Sequence, residues 1–266
     1  MVNGKKPVVV VTRKWPERVE ARLKELFDVE LNATDTPFNE ADLAAALTRA
    51  DALCPTVTDR IASVVLEQPE PRARVLANFG VGLDHIDLDA ARRAGLVVTN
   101  TPDVLTDATA EIAMVLMLMS ARRAAEGERL VRRGAWQGWH PTHMLSTQVT
   151  GKTLGLIGMG RIGSRFAQQA RRGFGMKIQY VSRSEVPADR IAGLDAQRVS
   201  LEQLFATSDF VSLHCPATEA TRHLVDAAAF DLMPEHSHLI NTARGSIVDE
   251  QALALALAAG KIAGAG

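Results

Sequence analysis

The chain has 266 residues, room for two modest domains or one large α/β unit at roughly 150 residues per domain, and too many for a small module stapled by disulfides or metal. Lys and Arg number 30 against 31 Asp and Glu, a net charge of -1 that sets up no long-range field toward nucleic acid or an anionic membrane, so any bound anion must be met locally. The two cysteines, Cys54 and Cys215, lie far apart without a C-x-x-C pair, which suggests neither a disulfide framework nor a zinc site, and no metal is expected.

Short β-branched runs alternate with helical patterns from one end to the other. PVVVVT is followed by Val19, Leu23, Leu26 and Phe27 at helical spacing, then by DVEL, then by Leu43 and Leu47 after the cap Asn39. The rhythm continues through DALCP, ARVLANFG, GLVVTN, KTLGLIG, KIQYVS, DFVSLHCP and HSHLINT. Such alternation predicts βαβ units, hence an α/β fold with parallel sheets covered by helices on both faces. So many strands suggest two sheets, with the boundary where a long helix, Thr106 to Ala124, replaces the short ones. Domains are therefore expected over residues 1–103 and 104–266. On that helix Ile112, Val115, Leu116 and Met119 are expected to bury against a sheet, while Met114, Met117 and Leu118 leave the rest too apolar for an ordinary surface. A homodimer through this helix and the loop after it is one explanation, and burial between two domains is another. The loop GAWQGWHPTHMLSTQVTG carries two of the three tryptophans and no clear period. No apolar run reaches the ~20 residues of a membrane span, and the opening MVNGKKPVVVVTRKWPER lacks the pattern of an export signal, so a reducing cytoplasm is expected. A last helix, Asp249 to Ala259, stops at Gly260, and KIAGAG then reads as the start of a buried strand, so a C-terminal piece of the fold is expected beyond Gly266.

GLIGMGRIG carries the chemistry most plainly. Gly158, Gly160 and Gly163 stand in G-x-G-x-x-G, with Met159, Arg161 and Ile162 between them, after the apolar strand Thr153 to Ile157 and before a helical stretch. Gly158 permits the tight turn, Gly160 lets a pyrophosphate approach the backbone, and Gly163 lets helix pack on strand. A dinucleotide site follows. The next strand ends in Ser182, Arg183 and Ser184, where an NAD site would place a carboxylate on the adenosine ribose. An arginine fork between two hydroxyls suits a 2′-phosphate, so NADPH is favoured over NADH; the alternative is a solvated Arg183 with Glu185 on the ribose.

The segments ANFGVGLDHID, NTPDVLTDATAEIAM, GLIGMGRIG, LHCPATEATRHLV and LINTARGSIVDEQAL resemble, in order and over nearly the whole chain, the D-isomer-specific 2-hydroxyacid dehydrogenase family. WQGWHPTHMLS further resembles its glyoxylate and hydroxypyruvate reductase branch, the D-glycerate dehydrogenases. The resemblance implies two doubly wound domains: a flavodoxin-like substrate domain and a Rossmann nucleotide-binding domain. It also implies hydride transfer from the nicotinamide to a small 2-oxo acid. By the same resemblance, the backbone of Val81 and Gly82 binds the substrate carboxylate, the loop at Cys54 faces the substrate, and Arg244 is the catalytic arginine that also clamps the acid. Thr109, Cys215, Pro216, Thr242 and Ala243 then lie along the nicotinamide and its ribose. The family's proton-donating His and its Glu partner fall after the segment that aligns with AGAG, so neither is among these residues, and His214 matches a position the family does not use as the acid. His143 stands where the branch often has a tryptophan, which leaves substrate preference open. Two other readings share the fold: a nucleotide-sensing, corepressor-like protein without turnover, and another dehydrogenase of the family such as a phosphoglycerate dehydrogenase.

Overall fold

The computed structural model describes residues 5–69 and 71–266, and the chain folds as two compact units, Met1–Pro102 and Asp103–Gly266. The first unit contains β1 (Val8–Val11), α1 (Glu17–Leu26), β2 (Asp28–Leu31), α2 (Glu40–Arg49), β3 (Ala52–Cys54), α3 (Ser63–Leu66), β4 (Val75–Ala77), α4 (Leu88–Arg93) and β5 (Val97–Thr99). Its strands are parallel in the order β2-β1-β3-β4-β5, the flavodoxin-like arrangement, whose order reverses between β1 and β3. A strand covered on both faces can be apolar throughout, and β1 is four valines in a row. Val10 enters a core with Leu43, Leu47, Leu53 and Leu76, while Val9 and Val11 pack on the other face with Cys54, Trp15 and Leu23. At the start of α2, Asn39 accepts from the Asp42 amide at 3.0 Å and Asp42 accepts from the Asn39 amide at 3.1 Å, a reciprocal cap of about 1 kcal/mol.

The second unit contains α5 (Thr106–Ala121), α6 (Ala124–Arg132), β6 (Thr153–Ile157), α7 (Arg161–Phe174), β7 (Lys177–Val181), α8 (Ala188–Ile191), β8 (Gln197–Arg198), α9 (Leu201–Thr207), β9 (Phe210–Leu213), α10 (Ala227–Leu232), β10 (His238–Asn241), α11 (Glu250–Ala258) and β11 (Gly264–Ala265). Its parallel strands run β8-β7-β6-β9-β10-β11, the dinucleotide-binding order 3-2-1-4-5-6. The order reverses between β6 and β9, so the loops after those two strands flank the place where such sheets take ligands. Among the described residues no helix is long and apolar enough to cross a membrane.

The sequence reading of α5 needs two corrections. The helix ends at Ala121, because Arg123 adopts a left-handed backbone (φ 53°) that breaks it from α6. Its packed side is also largely the opposite one: Ala110, Ala113, Met117 and Ala121 are buried, whereas Ile112, Val115 and Met119 remain 54%, 46% and 40% exposed and, of the expected set, Leu116 is half-buried against the core. The cause is the close approach of α5 to α7 and β10, which small side chains permit and branched ones obstruct. Exposed apolar side chains continue onto α6 and the following loop at Val131, Trp136, Trp139 and Leu145. Behind α5, buried His238 ties three segments together. Its Nδ1 pairs with Ser120 Oγ at 2.8 Å, its Nε2 with Thr147 Oγ1 at 3.2 Å, and its ring stacks on Phe210.

Candidate active site

The loop from β6 into α7 is built by steric necessity. Gly158 has φ +102°, and a Cβ there would lie 2.7 Å from the His214 carbonyl carbon and 2.8 Å from the Cys215 nitrogen. A Cβ on Gly163 would overlap the Gly158 carbonyl oxygen, so only glycine lets α7 start this close to β6. Gly160 differs, because a Cβ there would meet nothing within 4 Å. Open space lies beside the helix entry. No side chain caps α7 and no acid stands in its first turn, so its leading amides and the positive end of its dipole are left for an anion. The Arg161 guanidinium pairs with Asp103 at 2.6 Å and the Met159 side chain is buried in the core, so both contribute backbone to this cradle. Ile162 is half-buried beside them. The residues present therefore fit a dinucleotide pyrophosphate.

At the end of β7, Arg183 and Ser184 are exposed and Ser182 is half-buried. Among the described residues Arg183 makes no ion pair. Burial raises the Cys215 thiol pKa, and the positive charge of Arg183 partly opposes that rise. After β9 come His214, Cys215 and the exposed Pro216. His214 is no proton donor at neutral pH: its Nε2 pairs with Ser212 Oγ at 2.9 Å, its ring packs on Phe166, and burial pulls its pKa down to about 4.

The turn after β10 is held by Asn241, whose side chain donates to the Arg244 carbonyl at 2.9 Å and accepts from the Ala243 amide at 2.9 Å. That brace sets Thr242, Ala243 and Arg244 at the carboxyl end of the sheet. The Thr242 hydroxyl is buried without a hydrogen-bond partner among the described residues, a polar atom that a bound ligand would satisfy. Thr109, half-buried in the first turns of α5, donates its amide to Leu105 within that helix.

In the first unit, the loop 80–82 is shaped by two asparagines that motif reading missed. Asn78, 2% exposed, donates from Nδ2 to the Gly80 carbonyl at 3.1 Å and to the Gly82 carbonyl at 3.0 Å, while its Oδ1 meets His85 Nε2 at 2.9 Å. Asn100 donates to the Val81 carbonyl at 2.9 Å. In a trans peptide the carbonyl and the following N–H point in opposite directions. The Gly80 and Val81 carbonyls, held in this way, therefore turn the amides of Val81 and Gly82 away from those braces, and among the described residues neither amide has an acceptor. Two bare amides in succession form an anion seat. The Cys54 side chain is 5% exposed among Val9 and Val11, and burial lifts its pKa to about 11. What the loop after β3 offers is backbone, held by buried Asp59, which accepts from the Thr56 amide at 2.7 Å and the Thr12 hydroxyl at 2.5 Å. Among the described residues no cluster of His, Cys, Asp and Glu is suited to a metal ion.

The model of the D-isomer specific 2-hydroxyacid dehydrogenase NAD binding domain matches residues 114–266, more than half of the chain. The glyoxylate reductase of Aeropyrum pernix is 45% identical over 269 residues, covering 98% of this chain and 78% of its own. That of Thermococcus litoralis is 42% identical over 265 residues, with 98% and 79% covered. Among solved structures, D-lactate dehydrogenase from Aquifex aeolicus, complexed with NAD and lactic acid, matches with a TM-score of 0.83 at 30% identity over 97% of this chain and 75% of that one. A nucleotide cradle and an anion seat on two doubly wound sheets, carried by a sequence this similar, leave one conclusion: the chain belongs to the D-isomer-specific 2-hydroxyacid dehydrogenases, enzymes that work on 2-oxo and 2-hydroxy acids with a nicotinamide cofactor.

Proposed function

We propose that this dehydrogenase reduces a small 2-oxo acid, glyoxylate or hydroxypyruvate, with NADPH. The observation that carries the cofactor choice is the end of β7, where an exposed arginine, without an ion-pair partner among the described residues, stands between two serines and no carboxylate occupies the three positions. The substrate choice rests on the relatives named glyoxylate reductase and on the stretch Trp136 to Ser146.

When bound, the cofactor supplies a hydride from its nicotinamide ring. The residues of the chain then divide the remaining tasks. The α7 amides behind Gly158, Gly160 and Gly163 hold the pyrophosphate, and Ser182, Arg183 and Ser184 take the 2′-phosphate. Thr109, Cys215, Pro216, Thr242 and Ala243 line the nicotinamide and its ribose. The amides of Val81 and Gly82 donate to the substrate carboxylate, and Arg244 orients the acid and stabilises negative charge growing on its carbonyl oxygen.

The test is a binding series. Fluorescence titration is expected to give a lower Kd for NADPH than for NADH, and calorimetry of the NADP-loaded protein tighter binding of glyoxylate and hydroxypyruvate than of phenylpyruvate or 3-phosphohydroxypyruvate. A preference for NADH overturns the cofactor reading, and tighter binding of the phosphorylated acid points to a phosphoglycerate dehydrogenase instead. We further infer a homodimer joined through the exposed apolar side of α5, α6 and the loop after them, in a cytoplasmic setting that suits two free cysteines. Val115→Glu is expected to convert dimers to monomers in sedimentation; a monomeric wild type overturns this.

A further inference from the structure

The edge strand β8 carries a second arginine to the same corner of the second unit. Only two residues long, β8 pairs in parallel with β7, Gln197 beside Gln179 and Arg198 beside Tyr180. Arg198 is thus its last residue at the carboxyl end of the sheet, the end where doubly wound folds bind ligands. Its side chain runs onward past the ladder, and Nη2 donates to the Ser182 carbonyl at 2.6 Å. That bond fixes the guanidinium beside the segment 182–184. A guanidinium has five N–H donors, and one carbonyl uses few of them. Among the described residues Arg198 makes no ion pair, and neither does Arg183. Two exposed arginines at adjacent strand ends, neither in an ion pair among the described residues, leave guanidinium donors available to an anion at that corner.

We infer that Arg198 is a second specificity-determining residue, binding the cofactor 2′-phosphate together with Arg183. The inference rests on the NADPH reading above. The division of labour follows from the geometry: Arg183 is exposed on the loop and free to move onto the ligand, whereas Arg198 is anchored by the Ser182 carbonyl and pre-oriented. An anchored fork loses less side-chain freedom on binding, so Arg198 contributes even though it stands on an edge strand that no glycine motif marks.

The experiment is fluorescence titration of the full chain with NADPH and with NADH, for the wild type, Arg183→Gln, Arg198→Gln and the double variant, with urea melts to confirm folding. Arg198→Gln is expected to raise the Kd for NADPH about ten-fold, as loss of one charge-assisted phosphate contact would. The Kd for NADH should stay within about two-fold, because that cofactor has no 2′-phosphate to lose. The double variant should bind the two cofactors alike. If Arg198→Gln weakens both cofactors by one factor, the arginine merely braces the Ser182 carbonyl and the inference is overturned. A wild-type preference for NADPH that Arg183→Gln removes and Arg198→Gln leaves intact also overturns it, while the NADPH reading survives. Equal wild-type affinity for the two cofactors overturns both.

Discussion

The two units reach one chemical end, bare backbone amides facing an anion, by different means. In the second unit the amides are bare because glycines at fixed spacing let a helix begin against a strand with no side chain capping it. In the first unit they are bare because Asn78 and Asn100 hold the carbonyls of Gly80 and Val81 and peptide planarity turns the N–H groups the other way. The first device depends on the absence of atoms and the second on their presence. They should therefore fail differently: an added methyl ruins the glycine cradle, whereas a removed carboxamide loosens the asparagine seat.

The largest expected effect is at Gly163. In Gly163→Ala the new Cβ overlaps the Gly158 carbonyl, both partners are backbone, and the helix has to back away from the strand. We expect a loss of about 3 kcal/mol of stability and cofactor affinity weakened by about a hundred-fold. Urea melts and NADPH titration measure both. Gly160→Ala is the internal control for stability, since its Cβ meets nothing within 4 Å of the protein, and it should weaken the cofactor alone.

Acid should separate the two units next. His214 and His238 both belong to the second unit, and burial lowers each pKa from 6.5 to about 4. The unfolded chain binds those protons more readily than the folded one, so this stability is fully present above pH 6.5 and is lost as pH falls toward 4. Each histidine can contribute up to roughly 3 kcal/mol over that window. The first unit responds lower on the scale. Its Asp51 and Asp35 are held below the usual carboxylate range by Arg72 and Arg13, Asp35 at about 2, and that support disappears only as those carboxylates take up protons. Hydrogen exchange at pH 5 should show the second unit opening first, and His238→Gln should flatten the dependence. Equal opening of the two units would remove the contrast.

Asn78→Ala tests the asparagine seat. It strands the Gly82 carbonyl in a buried site, a cost of about 2 kcal/mol, and leaves the Gly80 carbonyl, and with it the Val81 amide, to the Thr101 amide alone. Binding of the oxo acid should weaken about ten-fold, as loss of one well-set amide would, with NADPH affinity unchanged. A parallel loss of NADPH affinity would mean the variant unfolds the chain generally.

How much of this was legible beforehand follows from the same contrast. The cradle could be read because a positive φ at Gly158 and a backbone contact at Gly163 can be met by glycine alone, so the requirement is written as spacing. A carboxamide can reach a carbonyl from any part of the chain, and Asn78 and Asn100 leave no spacing to find. Conservative packing logic also misled at α5, where Ile112, Val115 and Met119 form as good a helical stripe as Ala110, Ala113 and Met117. Hydrophobicity favours the larger set, but close contact with α7 decides for the alanines. β8 escaped because two polar residues, Gln197 and Arg198, carry no strand pattern; their place comes from pairing with β7.

The smallest effect, at Asn100, sharpens the comparison most. Its side chain makes one bond, to the Val81 carbonyl, in an exposed setting where water can replace it, so Asn100→Ala should cost no more than about 1 kcal/mol of stability. Yet that carbonyl belongs to the peptide whose N–H is Gly82's, and with it released the Gly82 amide loses its orientation while that of Val81 keeps it, because Asn78 and the Thr101 amide both hold the Gly80 carbonyl. Oxo-acid affinity should then fall about three-fold while the melt barely moves. A variant that binds the acid as tightly as the wild type would show that the Gly82 amide needs no brace of its own, and that the seat, like the glycine cradle, is set by its buried contacts, those on the carbonyls of Gly80 and Gly82.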